Sequence, residues 1–296
     1  MKLLTILVCI MGLNAGKIDF TFKIIYLKQD KELVMKLDYF SENLEKQLDN
    51  YNWKVPHEDF YKIETSIDIN IDQVSTDKSC TGVITVSSGL VTDSKPEVAL
   101  KKDIYFNEMN LTFTVDYEID PQLDKMDPAS LETLVMFYSN LALGECFDRL
   151  SYTDQKNYKL EGDHYFQKMY EFENILTNAA ERKNWNKRLE LIETYRLNKN
   201  IELRKLNALI YNSVYFINAG KKDRAKLFIE PIYEIISKLF DIPGLFFLNN
   251  YYALGEIFAL SKDEKHIKLL IEKDPSHEGF YTQRLPKQNK PDRQKQ

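Results

Sequence analysis

Between residues 63 and 71 the chain alternates strictly. Ile63, Thr65, Ile67, Ile69 and Ile71 are separated by Glu64, Ser66, Asp68 and Asn70. Successive side chains of an extended strand point to opposite faces, so this run sets an apolar row on one side and a polar, acidic row on the other. A helix cannot bury such a pattern on one face. Residues 63–74 therefore predict a strand in a sheet that is covered on one face and wet on the other, as antiparallel sheets commonly are.

The flanking sequence supplies partners for that strand. Residues 18–27, IDFTFKIIYL, are β-branched and aromatic and predict a first strand. Residues 31–51 carry Leu33, Leu37, Phe40, Leu44 and Leu48 at steps of three and four, which predicts a helix. Residues 83–91 and 107–118 predict the remaining strands, the last with Met109, Leu111, Phe113, Val115 and Tyr117 on one face. The expected assembly is a mostly antiparallel sheet with the first helix packed across its dry side.

From Asp127 onward the period changes from two to that of a helix. Residues 130–185 predict a pair of helices joined by a long polar turn, the first burying Leu131, Leu134, Val135, Tyr138 and Leu141 on one face. Asp127 or Ser130 can cap it, and Gly144 allows close packing or a break. The second begins after Gly162 with Tyr165, Phe166, Met169, Phe172 and Leu176. Further helices are expected over 185–198, 201–216, 224–240, 245–260 and 263–273. Residues 206–238 look like one tetratricopeptide-type hairpin turning at Gly220, with no second copy at fixed spacing. The fold class expected is α+β: an N-terminal sheet region over 16–125 and a helical array over 126–284. Residues 285–296, rich in Lys, Gln and Pro, read as a disordered tail.

The first fifteen residues read as a secretory signal peptide. Lys2 precedes an apolar run from 3 to 13, and Asn14, Ala15 and Gly16 offer a cleavage site. The run is shorter than the ~20 residues a membrane-spanning helix needs. Export to a periplasm is the implied localisation. Outside that run stand Cys80 and Cys146; two thiols without a CxxC spacing do not make a zinc site, and an exported protein could bridge them or bury them.

Chemistry is sparse. A formal net charge of -5 argues against a nucleic-acid partner. His57, His164, His266 and His277 fall in different elements, none with a partner at metal-ligand spacing. The sequence holds no nucleophile elbow, P-loop or dinucleotide fingerprint. No cofactor, metal or catalytic residue is assigned, and the expected protein is not an enzyme. With 18 Tyr and 17 Phe, aromatic packing is plentiful. Phe246, Phe247, Tyr251 and Tyr252 put aromatics on nearly every side of one helix, which makes them the candidate protein-interaction patch.

Several stretches, in order, carry a family resemblance. They are Asn52-Trp53, residues 82–88 (GVITVSS), Phe137-Tyr138, Leu143-Gly144 with Asp148, and Gly162 with residues 165–168 (YFQK). Further on come Asn178-Ala179, Trp185, Phe246-Phe247, Ile257-Phe258, Asp274-Pro275 and Tyr281. On these the chain resembles the PorD family, envelope proteins associated with type IX secretion. It departs from the family at Gly89-Leu90, at residues 248–252, and at Glu161, where the family has a second glycine. The resemblance implies a non-enzymatic periplasmic component or assembly factor with protein partners in the secretion machinery. A generic periplasmic helical scaffold or chaperone-like binder is the alternative.

Overall fold

A computed structural model describes residues 17–26, 30–55, 62–91, 104–151, 160–196, 200–239, 242 and 244–286. The signal segment, His57, the loop around Pro96, the turn after the first long helix of the second half and residues 287–296 lie outside them. The chain divides into two compact units, Met1–Lys125 and Met126–Gln296. The architecture is α+β.

The first unit contains β1 (Lys17–Tyr26), α1 (Lys31–Asn50), β2 (Lys62–Val74), β3 (Ser79–Val91) and β4 (Ile104–Thr114), with the strands in the order β1-β2-β3-β4. β1 runs parallel to β2, and the other two pairings are antiparallel. The crossover through α1 is what allows the parallel pair. On the dry face Phe22, Ile67 and Val86 lie in register, as do Ile24, Ile69 and Ile84. Thr65 and Ser88 meet on the same face and share a 2.8 Å hydrogen bond between buried hydroxyls, so neither is left unsatisfied there.

Helix α1 does more than cover an apolar surface. Asp30 caps its start by accepting from the Leu33 amide, and Leu37, Phe40, Leu44 and Leu48 are its buried stripe. The amides of Phe20 and Phe22 donate to Asp49 Oδ1 and Glu45 Oε2, both at 2.8 Å, and Ser41 donates to the Phe22 carbonyl. These side chains serve the edge of β1 that has no neighbouring strand among the described residues. They satisfy backbone groups that would otherwise template another chain. Trp53 closes the helix end by donating from Nε1 to the Leu48 carbonyl while its ring stacks on Phe20 at 5.3 Å.

β4 departs from the sequence pattern. Met109 was expected among the apolar residues but is 59% exposed, whereas Glu108 is buried. The cause is a bulge: Gly82 pairs with Leu111 but Ile84 pairs with Glu108, and Asn110 takes a φ of 59°. One extra residue in β4 inverts the facing of everything before it. Gly82 is needed at the same place, because a Cβ there would run into the Asn70 carbonyl oxygen.

The second unit begins with α2 (Leu131–Ser151), capped by Ser130, whose Oγ accepts from the Thr133 amide. Every residue from 131 to 148 is buried, so the single buried face expected from the spacing is replaced by burial all round. Next come α3 (Asp163–Glu171), which continues into a 3-10 turn (Phe172–Ile175), α4 (Ala179–Asn184) and α5 (Asn186–Arg196). The sequence reading ran α3 and α4 together as one helix, although Asn178 and Glu181 form a reciprocal capping box at the start of α4. α6 (Asn200–Asn218) ends at Gly220, which has a φ of 72°. The helix expected over 224–240 is two helices, α7 (Lys222–Lys226) and α8 (Ile229–Lys238). Pro231 explains the break, since its ring excludes a helical carbonyl at Leu227. α9 (Gly244–Ala259), α10 (Glu264–Lys273) and α11 (Glu278–Thr282) complete the unit. Leu206, Ile232, Ile236, Leu254, Ile257, Phe258, Leu270 and Tyr281 lie at the centre of their shared core.

Among the described residues no helix is long and apolar enough to cross a membrane. Cys80 and Cys146 are both buried, and neither forms a disulfide. Burial pushes the Cys80 thiol up to about 12, which suppresses its thiolate chemistry.

The chain has one tryptophan in each unit, Trp53 and Trp185, which lets the units be followed separately. Gly82→Val in a Trp185→Phe background is expected to destabilise the first unit by about 1–3 kcal/mol through overpacking. Urea unfolding read at Trp53 checks this, and a midpoint equal to that of the parent would rule out the close approach at Asn70.

Candidate functional site

The polar residues of the second unit converge where α2, α3 and α6 meet. α2 crosses the start of α3 closely. A Cβ on Gly144 would sit 2.8 Å from the Phe166 ring, and one on Gly162 would collide with the Gly144 carbonyl. Two glycines at facing positions thus bring Asp148 within reach of the next helix start. The Gly162 amide donates to Asp148 Oδ1 at 2.8 Å.

From α6, Arg204 completes the arrangement. Its Nε and Nη2 donate to the two oxygens of Asp148 at 2.6 and 2.8 Å, a two-pronged contact. Its Nη1 donates to Asp163 Oδ1 at 2.6 Å. The side chain of Asp148 is 2% exposed, that of Arg204 7% and that of Asp163 70%. The Arg204 guanidinium also sits over the Phe166 ring, 4.5 Å from its centroid. Burial is the largest influence on both partners. It pushes the Asp148 carboxyl up to about 6, against the pull of Arg204 and the Gly162 amide. It also opposes charge on Arg204, where the bonds to Asp148 and Asp163 outweigh it and hold the guanidinium charged. At neutral pH the pair is ionic.

A second layer extends from the same ring. Tyr195 of α5 stacks on Phe166 at 4.6 Å and donates its hydroxyl to the buried Glu145. Burial, then the Glu145 charge, hold this phenol well above its ordinary range and therefore protonated. Glu145 Oε2 lies 3.7 Å from Arg149 Nε, whose guanidinium covers the Tyr211 ring at 4.5 Å.

Above this floor α3, α5 and α6 enclose a concavity of about 570 Å³. One wall is a single stripe of α3 and its 3-10 extension: Asp163, Gln167, Tyr170 and Asn174. The other carries Tyr195, Arg196, Ile201 and Arg204. The side-chain amides of Gln167 and Asn174 have no hydrogen-bond partner among the described residues. Burial pushes the Tyr170 phenol up to about 12, with Arg196 5.3 Å over its ring. Arg196 is itself held by Glu193 and Glu173. The walls therefore offer amide donors and acceptors, phenol faces and one tethered guanidinium over a rigid floor. Among the described residues no group of three side chains could hold a metal ion.

The four residues of the sequence-predicted patch do not share a surface. Phe246 and Phe247 are in the core with ring centroids 5.5 Å apart. Tyr251 stacks on His277 at 4.0 Å. Tyr252 is 60% exposed beside Phe280 and Arg284. Adjacent helical positions point in different directions, so a consecutive aromatic run spreads between core and surface. The sequence reading passed over Arg204 altogether. Its local signal was weak, because Arg204 stands beside Glu202 and Lys205, and Asp148 beside Arg149.

Asp148→Ala leaves a buried guanidinium without its partner and is expected to cost about 3–5 kcal/mol. Asp163→Ala removes a largely exposed contact and is expected to cost under about 1 kcal/mol. Denaturation followed at Trp185 checks the contrast. Equal losses would mean that the floor is not a buried ion pair. No family model, curated protein or solved structure matches this chain.

Proposed function

We propose that this chain is a non-enzymatic envelope component of the PorD type, exported to the periplasm, that serves type IX protein secretion by binding a partner polypeptide in the concavity between α3, α5 and α6. The observation that carries the binding role is the wall chemistry. The side-chain amides of Gln167 and Asn174, unengaged among the described residues, match the donors and acceptors of a peptide backbone, and Tyr170 supplies an aromatic face at low entropic cost. The volume suits a few residues of an extended segment. The floor below is locked, so partner binding does not have to order it.

The secretion role rests on the resemblance. Many of the residues that carry it build the fold of the helical unit. Gly144, Asp148, Gly162 and Phe166 form the α2–α3 junction. Phe137 packs edge-on against Trp185, and Tyr281 donates to the buried Asp274. The exposed pair Leu248 and Tyr252 on α9 favours the second reading, a scaffold with broader clients.

Deletion of the gene in the native bacterium is expected to cause selective loss of type IX cargo from the surface proteome. The wild-type gene should restore it, and a folded Gln167→Trp/Asn174→Trp variant, which fills the concavity, should not. Unchanged cargo on deletion would remove the secretion role. Full rescue by the filled variant would remove the concavity from it.

A further inference from the structure

The donors and acceptors that line the α3–α5–α6 concavity are not balanced. Asp163, Gln167 and Glu171 follow one another at four-residue steps along α3, and all three line the space. Side chains at that spacing are neighbours on a helix surface, so two carboxylates and an amide carbonyl form one row. Asp163 is the least engaged of the three carboxyl-bearing and amide positions that carry charge. Its Oδ1 accepts from Arg204 Nη1, and its Oδ2 has no hydrogen-bond partner among the described residues. The donor on Glu171 is Lys168, at 3.0 and 3.2 Å, in an exposed pair of the kind that contributes little.

The opposite wall makes no matching offer to an anion. Arg204 already meets Asp148 with Nε and Nη2 and Asp163 with Nη1. Arg196 meets Glu173 with Nη2 at 2.6 Å and Glu193 with Nη1 at 3.0 Å. Each guanidinium thus sits between two carboxylates, and Arg182 adds a cation 3.7 Å from Glu173. Among the described residues, the charged side chains of the lining and their ion-pair partners are five carboxylates and four cations. An incoming carboxylate would have to draw a guanidinium from its present partners. At Arg204 that strands the buried Asp148, a loss that a surface contact does not offset.

An incoming cation meets the reverse situation. The free Asp163 oxygen and the Gln167 carbonyl accept, and ammonium and guanidinium groups have several protons to give. The long stems of Lys and Arg are apolar and lie along apolar surface while the head stays polar. Ile201, an exposed apolar residue of the lining, and the Tyr170 ring offer such a surface.

We propose that the polypeptide received in this concavity presents a Lys or Arg side chain to it. The cation is held by Asp163, Gln167 and Glu171, and the stem covers Tyr170 and Ile201. This selectivity rests on the concavity being a polypeptide site.

Random heptapeptides displayed on phage and selected on the full chain test it. Binders that the Gln167→Trp/Asn174→Trp variant rejects are sequenced and synthesised. Each is expected to contain a Lys or Arg whose replacement by Gln raises Kd about tenfold, the scale of one charge-assisted hydrogen bond. Replacement by Glu should raise it further. The ratio between the basic and Gln peptides is expected to shrink to under about threefold on an Asp163→Asn/Glu171→Gln variant, and on the wild-type chain in about 0.5 M salt. Concavity-dependent binders without a basic residue would overturn the proposal and leave the polypeptide site standing, as would a full ratio on the Asp163→Asn/Glu171→Gln variant. A selection that yields no concavity-dependent binder would remove the site itself, and the selectivity with it.

Discussion

A guanidinium taken out of water must find a carboxylate, and in the second unit this requirement places three helices. Arg204 of α6 grips Asp148 of α2 with two nitrogens, while the start of α3 offers the Gly162 amide to the same carboxylate. The desolvation cost of two buried ions is large, and only near-ideal geometry offsets it. That geometry is available because Gly144 and Gly162 let the helices approach more closely than any side chain would allow. The Phe166 ring then fills the space between Gly144, Arg204 and Tyr195. The ion pair, the glycines and the ring form one packing unit, and the α3–α5–α6 concavity is its upper surface.

The first unit solves a different problem with similar means. Its sheet has an edge at β1, and α1 brings Asp49, Glu45 and Ser41 to that edge's backbone groups. The same helix supplies the apolar cover through Leu37, Phe40, Leu44 and Leu48. At the opposite strand, the bulge at Asn110 turns Met109 outward and Glu108 inward, so the strand's two halves obey opposite alternation. In both units a few polar or glycine positions decide geometry that the apolar pattern leaves free.

This explains what could be read from the sequence. Periodicity reports which elements exist, because burial of one face is a local property. The alternation at Ile63–Ile71 and the heptad-like spacing of α1 were legible for that reason. The bulge in β4 was not, since one inserted residue leaves composition unchanged while inverting the face. Burial of α2 on every side was also hidden, because the apolar spacing marks one face only, while Glu132, Glu145 and Asp148 are buried with the rest. The break before α8 could have been taken from Pro231, and α4 from the Asn178–Glu181 box. The floor of the concavity depends on a contact between residues 148 and 204, and no local pattern encodes a pairing at that separation. The predicted aromatic patch failed to form one surface because the two phenylalanines were needed in the core.

If the buried pair is what places the helices, its two members must act as one. Replacing both with apolar residues of similar volume tests this directly, through a cycle of Asp148→Leu, Arg204→Met and the double variant, unfolded in urea and read at Trp185. Each single variant is expected to lose about 3–5 kcal/mol because it strands a buried charge, and the double variant is expected to recover most of that loss. Losses that simply add would mean that Asp148 and Arg204 stabilise the unit independently, and the ion pair would no longer account for how α2, α3 and α6 meet.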